Sequence, residues 1–301
     1  MSDVGISSIA GYLPRLRLSK KTVSSANSWL APNLVGKGKG TRSMANWDED
    51  SVTMAVEAVR RILGGDDDRS HVDTLFFAST TMPFVDRLNS GIMRAALTLE
   101  EETQCVDISS TLKSGTSALI QAIDKVKSGN SNYSIVSAAD KRKTRSASSQ
   151  ELDFGDGSVA IAVDTKNLIA KYINSSSLSI DFVDHFRGPG EEFDYNWEER
   201  WVRDEGYLKI VPKAIKDLFT KANISGSDID HFILPSVFPR VDQMIAKRCD
   251  INPENVAGNL AQSVGDTGSA HSLLMFASVL EKAKPGEKIL ICGFGGGSDV
   301  L

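Results

Sequence analysis

Several features that would narrow the function of this 301-residue sequence are scarce. Its three cysteines, Cys105, Cys249 and Cys292, are odd in number and far apart, which argues against a disulfide framework and for a reducing, cytoplasmic setting. Its four histidines, His71, His185, His231 and His271, are scattered, and none has a partner at metal-ligand spacing, so no metal site is expected. Positive charge is short as well. The 34 Lys and Arg are outnumbered by 39 Asp and Glu, leaving a net charge of −5. Nucleic-acid binders need clustered cations against phosphates, so no nucleic-acid partner is expected. No apolar run approaches the roughly 20 residues that cross a bilayer. The N-terminus alternates polar and apolar residues and soon reaches Pro14 and Arg15, so it does not read as a secretory signal, and no membrane role is expected.

What is present is an ordinary globular composition, 41% hydrophobic and 24% charged, enough for one large core or two fused smaller ones. An internal echo supports the second arrangement. Ser70-His71-Val72-Asp73-Thr74-Leu75-Phe76-Phe77-Ala78-Ser79 resembles Ser227-Asp228-Ile229-Asp230-His231-Phe232-Ile233-Leu234-Pro235-Ser236. Each reads as a short buried strand, and each follows a helical spacing of apolar residues: Val52, Val56, Val59 and Leu63 before the first, Val211, Ile215, Leu218 and Phe219 before the second. A further helix and strand follow each copy. Leu119, Ile120, Ile123 and Val126 make one stripe, closed by Ser128-Gly129 before strand Tyr133 to Ala138. Leu273, Leu274, Ala277 and Leu280 make the other, turned by Pro285-Gly286 into strand Lys288 to Cys292.

This alternation predicts a duplicated α/β protein with mostly parallel strands and helices on the sheet faces, divided into residues 1–165 and 166–301. An irregular insertion at about 181–207 interrupts the second half. It carries Gly188-Pro189-Gly190 and an acidic, aromatic run from Glu191 to Trp201. Its Trp197 and Trp201 are expected either to anchor a surface segment or to meet a partner subunit.

Four segments in order resemble the thiolase superfamily, and within it the HMG-CoA synthase and ketoacyl synthase III branch. They are Asp48-Glu49-Asp50-Ser51-Val52-Thr53-Met54-Ala55, Lys113-Ser114-Gly115-Thr116-Ser117-Ala118-Leu119, Phe154-Gly155-Asp156-Gly157-Ser158 and Gly293-Phe294-Gly295-Gly296-Gly297. The resemblance implies a thiolase-like duplicated five-layer α-β-α-β-α fold, a homodimer, and acyl-CoA or acyl carrier protein thioesters as ligands, with no tightly bound cofactor. Beyond Leu301 it implies a further strand or an appended OB-fold domain.

Proteins of this kind use a Cys nucleophile, a His, an Asn or second His and, in HMG-CoA synthases, a Glu acid. The resemblance puts Leu112 at the Cys, Thr80 at the Glu, Pro235 or Ser236 at the His, and Asp266 at the Asn. Leucine forms no thioester, threonine supplies no carboxylic proton, and aspartate lacks the amide donors of asparagine. What the resemblance leaves is an oxyanion hole, formed by the backbone N–H of Leu112 at a helix N-terminus and a glycine N–H within Gly295 to Gly297, taken as Gly296. A base would then be needed, with Asp266 the first candidate and Lys113 and Tyr207 the others. Burial of Asp266 is expected to raise its pKa, against the alternative that it caps the following helix. His271 is placed near the pocket, and Asp184-His185-Phe186-Arg187 resembles a family segment. Lys37, Lys39 and Arg42, in a basic glycine-rich stretch, are the expected CoA phosphate contacts.

Three readings follow. The first is a thioester binder without an acyl-Cys, capable of carbon–carbon bond chemistry through an enolate as in retro-aldolases that work with an OB-fold partner. The second is a noncatalytic scaffold for a thiolase or an OB-fold acyl-CoA-binding protein. The third is a conventional hydroxymethylglutaryl-CoA synthase.

Overall fold

The computed structural model describes residues 3–65 and 68–301. The N-terminal run contains β1 (Gly5–Tyr12), β2 (Leu16–Ser19), α1 (Lys20–Ala26), β3 (Thr41–Met44), α2 (Ser51–Leu63), β4 (Thr74–Ala78), α3 (Asn89–Ala96), β5 (Gln104–Ile108), α4 (Ser114–Lys127), β6 (Ser134–Asp140), α5 (Ser149–Asp153) and β7 (Gly157–Asp164). The C-terminal run contains β8 (Ala170–Lys171), β9 (Ser176–Ser179), β10 (His185–Phe186), β11 (Tyr195–Asn196), α6 (Glu199–Trp201), α7 (Leu208–Ala222), β12 (His231–Ile233), α8 (Val241–Arg248), α9 (His271–Leu280), β13 (Ile289–Phe294) and β14 (Gly297–Val300). The echoed segments become β4 and β12, and the apolar spacings that precede them lie in α2 and α7.

Two sheets carry the fold, in the orders β5-β4-β6-β7-β1-β8 and β12-β13-β14-β9. The expectation of mostly parallel strands needs correction. Among the described strands of these two sheets, β4 with β5, β4 with β6 and β12 with β13 run parallel, while β7, β1, β8, β14 and β9 pair antiparallel. The crossover helix α4 between β5 and β6 allows parallel direction; β6 and β7 are joined by a loop holding only the five-residue α5, and β13 and β14 by a tight glycine turn, and at both the chain reverses. β8 also shows that the first sheet draws on residues past 165.

The layers follow from where apolar faces meet. α4 and α9 lie between the sheets, where Leu119, Ile123, Leu273 and Met275 join Phe76 and Val136 of one sheet and Ile233 and Ile291 of the other. α2 and α3 cover the outer face of the first sheet, and α7 and α8 that of the second. The central helices approach closely because Gly115 has no side chain. A Cβ there would sit 2.3 Å from the Ser269 carbonyl oxygen.

Local sequence explains the helix ends. Asp50 starts α2 with a capping box, its carboxylate accepting from Thr53 N–H at 2.8 Å while Thr53 Oγ1 accepts from Asp50 N–H. α7 follows a π-helical turn, Val202–Tyr207, and holds Pro212 in its first turns. Proline has no N–H to give the carbonyl of Leu208. Arg248 Nη1 supplies that bond instead, at 2.6 Å, and so couples α8 to α7. Among the described residues no helix is long and apolar enough to cross a membrane.

Candidate active site

The site is built where the N-terminus of α4 meets the glycine turn between β13 and β14. Gly295 has φ +149°, a region that side chains rarely enter, and a Cβ on it would lie 2.7 Å from Thr111 Oγ1 and 3.0 Å from Leu112 N. Glycine alone lets the turn press against Leu112. Thr111 Oγ1 donates to the Gly295 carbonyl at 2.6 Å and fixes the contact. The N–H groups of Leu112 and Gly296 have no hydrogen-bond partner among the described residues. The first stands at the positive end of α4. Lys113, the neighbouring base candidate, is already engaged: its Nζ lies 2.9 Å from Asp299 Oδ1, with Thr116 and Ser117 hydroxyls also on that carboxylate.

Asp266 lies just before the turn Gly268–Ala270 that leads into α9. Arg142 Nη2 sits 3.0 Å from its Oδ2 and 2.7 Å from its carbonyl oxygen, and the Gly268 N–H donates to its Oδ1 at 2.9 Å. The expected rise in its pKa is therefore reversed. Burial does push it up, but the Arg142 guanidinium, His271 and the Gly268 amide together hold it down at about 2. Nor does Asp266 cap the helix: the turn Gly268–Ala270 starts from Thr267 and α9 from Ala270, neither with a side-chain cap bond, and the Asp266 carboxylate only accepts the N–H two residues on. His271 Nδ1 accepts from Thr267 N–H at 3.2 Å and its Nε2 lies 3.0 Å from the Asn259 carbonyl, the pattern of a neutral ring. Burial holds its pKa below the usual value.

Tyr207 ends the π-helical turn. Its ring stacks on Phe294 at 4.0 Å. Burial, reinforced by Asp184 and Asp266, drives its pKa far above the ordinary phenol value, so it is no base near neutral pH. Tyr207, Ser236, Asp266 and Arg142 thus share one electrostatic neighbourhood. Of the side-chain base candidates, Lys113 is held by Asp299 and Asp266 by Arg142, while Tyr207 is buried against Phe294.

Residues 219–300 match the C-terminal domain family of 3-oxoacyl-(acyl carrier protein) synthase III. Hydroxymethylglutaryl-CoA synthase of Caldivirga maquilingensis is 28% identical over 300 residues, covering 98% of this chain and 85% of that one. The enzyme of the same name from Pyrobaculum calidifontis is 29% identical over 308 residues, with 99% and 86% covered. Two solved structures share the fold at 19% identity: 3-oxoacyl-(acyl carrier protein) synthase III from Pseudomonas aeruginosa PAO1, with a TM-score of 0.86 over 99% of this chain and 98% of that one, and an HMG-CoA synthase complexed with CoA, at 0.87 over 99% and 81%. The chain is thiolase-like, similar to HMG-CoA synthases and to ketoacyl synthase III.

In this thiolase-fold chain, Thr80 closes β4 against Asp140 at the end of β6. Asp140 Oδ1 accepts from Thr80 N–H at 2.7 Å and from the hydroxyls of Ser79, Thr80 and Thr81, while Oδ2 accepts from Ser269 N–H at 2.7 Å. One buried carboxylate thus ties the Thr80 turn to the start of α9. Sequence reasoning missed Asp140 and Arg142. They belong to Asp140-Lys141-Arg142-Lys143, whose visible signal was a charge run directly after a buried strand. It also missed how the insertion docks: Arg187 donates to the Thr80 carbonyl and pairs with Asp194 at 2.6 Å, while Ile180 N–H donates to the Gly296 carbonyl at 3.1 Å. The insertion's Trp201 stacks on Phe182 at 6.3 Å and stays about half exposed.

The expected phosphate contacts do not form one patch. Lys37 and Lys39 are on the surface, Lys37 3.4 Å from Asp153. Arg42 turns inward beside Asp156 and Glu151, and burial lowers its pKa. Among the described residues no group of His, Cys, Asp and Glu is placed to hold a metal ion. Of the thiols, Cys292 is sealed within β13, Cys249 is buried after α8, and Cys105 lies on the edge strand β5.

Proposed function

We propose that this chain is an HMG-CoA synthase-like acyl-CoA-binding protein that holds a thioester without forming an acyl-enzyme. The observation that carries this reading is Leu112, a side chain that forms no thioester, whose unpartnered amide adjoins the Gly295–Gly297 turn. The Leu112 and Gly296 N–H groups would receive the thioester oxygen, and with it the charge of an enolate. A donor of this kind contributes about 2.7–4 kcal/mol to transition-state stabilisation where it has been removed elsewhere. Lys37 and Lys39 supply cations for the CoA phosphates, and acyl carrier protein is an alternative carrier of the thioester. The protein works as a homodimer, with an OB-fold or thiolase protein as a further partner.

The test is incubation with isotopically heavy acetyl-CoA, followed by intact-protein mass spectrometry and thermal denaturation. The expected result is no covalent adduct together with a higher melting temperature in acetyl-CoA. A stoichiometric acyl adduct on any cysteine would overturn the reading and restore a conventional synthase.

A second reading, a noncatalytic scaffold subunit, has its own supporting observation. Lys113 and Asp266 are committed to Asp299 and Arg142, and burial holds the Tyr207 phenol far above its ordinary pKa. Turnover of any acyl-CoA by the purified chain would exclude it.

A further inference from the structure

The thioester reading lacks a base, and one histidine has been left without a task. His185 opens β10 in the insertion, paired across the hairpin with Asn196. Its Nδ1 lies 2.9 Å from Asp184 Oδ2, and the two side chains keep only 18% and 13% of their exposure. No hydrogen-bond partner takes its Nε2 among the described residues.

Position makes this pair relevant. The segment that carries it is pinned at both ends to the site: Ile180 N–H on the carbonyl of Gly296, Arg187 on the carbonyl of Thr80. His185 therefore lies on a span from the glycine turn to the end of β4. The Arg142 and Asp194 charges both bear on its ring, and the Asp184 charge bears on Tyr207, so the dyad shares the neighbourhood of the Arg142–Asp266 pair. Arg187 and Asp194, paired at 2.6 Å, stiffen the span.

We infer that Asp184 and His185 form a general-base dyad acting on the α-carbon of the bound acyl thioester. This inference rests on the thioester-binding reading above. With Asp184 Oδ2 accepting the Nδ1–H, the tautomer is fixed and the Nε2 lone pair is left for a proton. In the step, the α C–H bond breaks and its proton goes to Nε2. The electron pair moves into the carbonyl, whose oxygen becomes an enolate facing the Leu112 and Gly296 amides. The imidazolium, stabilised by Asp184, returns a proton or a solvent deuteron to the same carbon, and no other reactant is needed. His185 is the catalytic residue and Asp184 its positioning residue.

The experiment follows deuterium entering the acetyl group of acetyl-CoA in heavy water, with acetyl-CoA binding measured separately by calorimetry. Wild type is expected to exchange faster than buffer. His185→Gln is expected to slow exchange by about 10²-fold or more with the Kd for acetyl-CoA unchanged within about twofold, and Asp184→Asn by about tenfold. Added imidazole is expected to restore exchange to His185→Ala, a rescue that a purely structural role would not give. Full exchange in His185→Gln overturns the dyad. So does a wild type that binds acetyl-CoA without exchange, and that outcome leaves the binding reading intact. Absence of any binding overturns both.

Discussion

Two buried ion pairs, one at the start of α4 and one before α9, seal opposite partners. In Lys113–Asp299 the carboxylate is 1% exposed and the ammonium side chain 11%; in Arg142–Asp266 the guanidinium side chain is 2% exposed and the carboxylate 20%. Asp299 belongs to β14 and is bonded on all sides by Lys113, Thr116 and Ser117, so it sews the helix start to the strand after the glycine turn. Asp266 keeps one edge toward the open side, while Arg142 beneath it lies on the face of Phe154 at 3.6 Å. The contrast separates a structural pair from one that borders the site. In both pairs the desolvation of two ions is offset only because further hydrogen bonds satisfy them.

Breaking the sealed pair should have the largest effect. Asp299→Ala leaves Lys113 buried without its partner and is expected to cost about 3–5 kcal/mol, read from urea denaturation. Replacing both members by apolar residues, Lys113→Met with Asp299→Leu, should recover much of that loss. A single variant as stable as wild type would show that the pair does not hold α4 to β14.

The half-open pair should show itself through pH. Asp266 sits at about 2 in the folded chain against an ordinary value of 3.8, and His271 is held below 6.5. Both folded values are depressed, so each contribution is complete above the unfolded value and is lost as pH falls toward the folded one. Stability should therefore decline first below about 6.5, through His271, and then between about 4 and 2, through Asp266, the second limb amounting to about 2 kcal/mol. Asp266→Asn should remove the lower limb and deepen the upper one, because it also takes away the charge that raises the His271 pKa. Urea midpoints measured from pH 2 to 7 check this, and an unchanged lower limb in the variant would assign the acid loss to other carboxylates.

The same contrast explains what was legible in the sequence. The helices α2, α4, α7 and α9 announce themselves because their apolar residues recur locally, at Val52, Val56, Val59 and Leu63 for instance. Strand direction was not legible at β7, since an apolar run buried on both faces reads alike whether its neighbour is parallel or antiparallel. Leu112 and the glycine turn could be placed because family motifs surround them. The ion pairs could not. Arg142 meets a carboxylate far along the chain, and in isolation Lys141-Arg142-Lys143 has the look of a solvated face. Asp266 was found, but its acidity was misjudged, because burial and pairing oppose each other and only coordinates reveal the guanidinium that decides the sign.

A carboxylate with no cation at all sets the lower end of the comparison. Asp50 holds the start of α2 through hydrogen bonds alone, accepting the Thr53 N–H at 2.8 Å while exposed to water. Water replaces most of what Asp50→Ala removes, and no buried charge is stranded, so the expected cost is about 1 kcal/mol. Asp50→Ser keeps an oxygen in place for the Thr53 N–H and should recover most of it. If Asp50→Ala instead cost as much as Asp299→Ala, desolvation would not be what separates the sealed pair from an ordinary cap, and the ordering argued for the three carboxylates would fail.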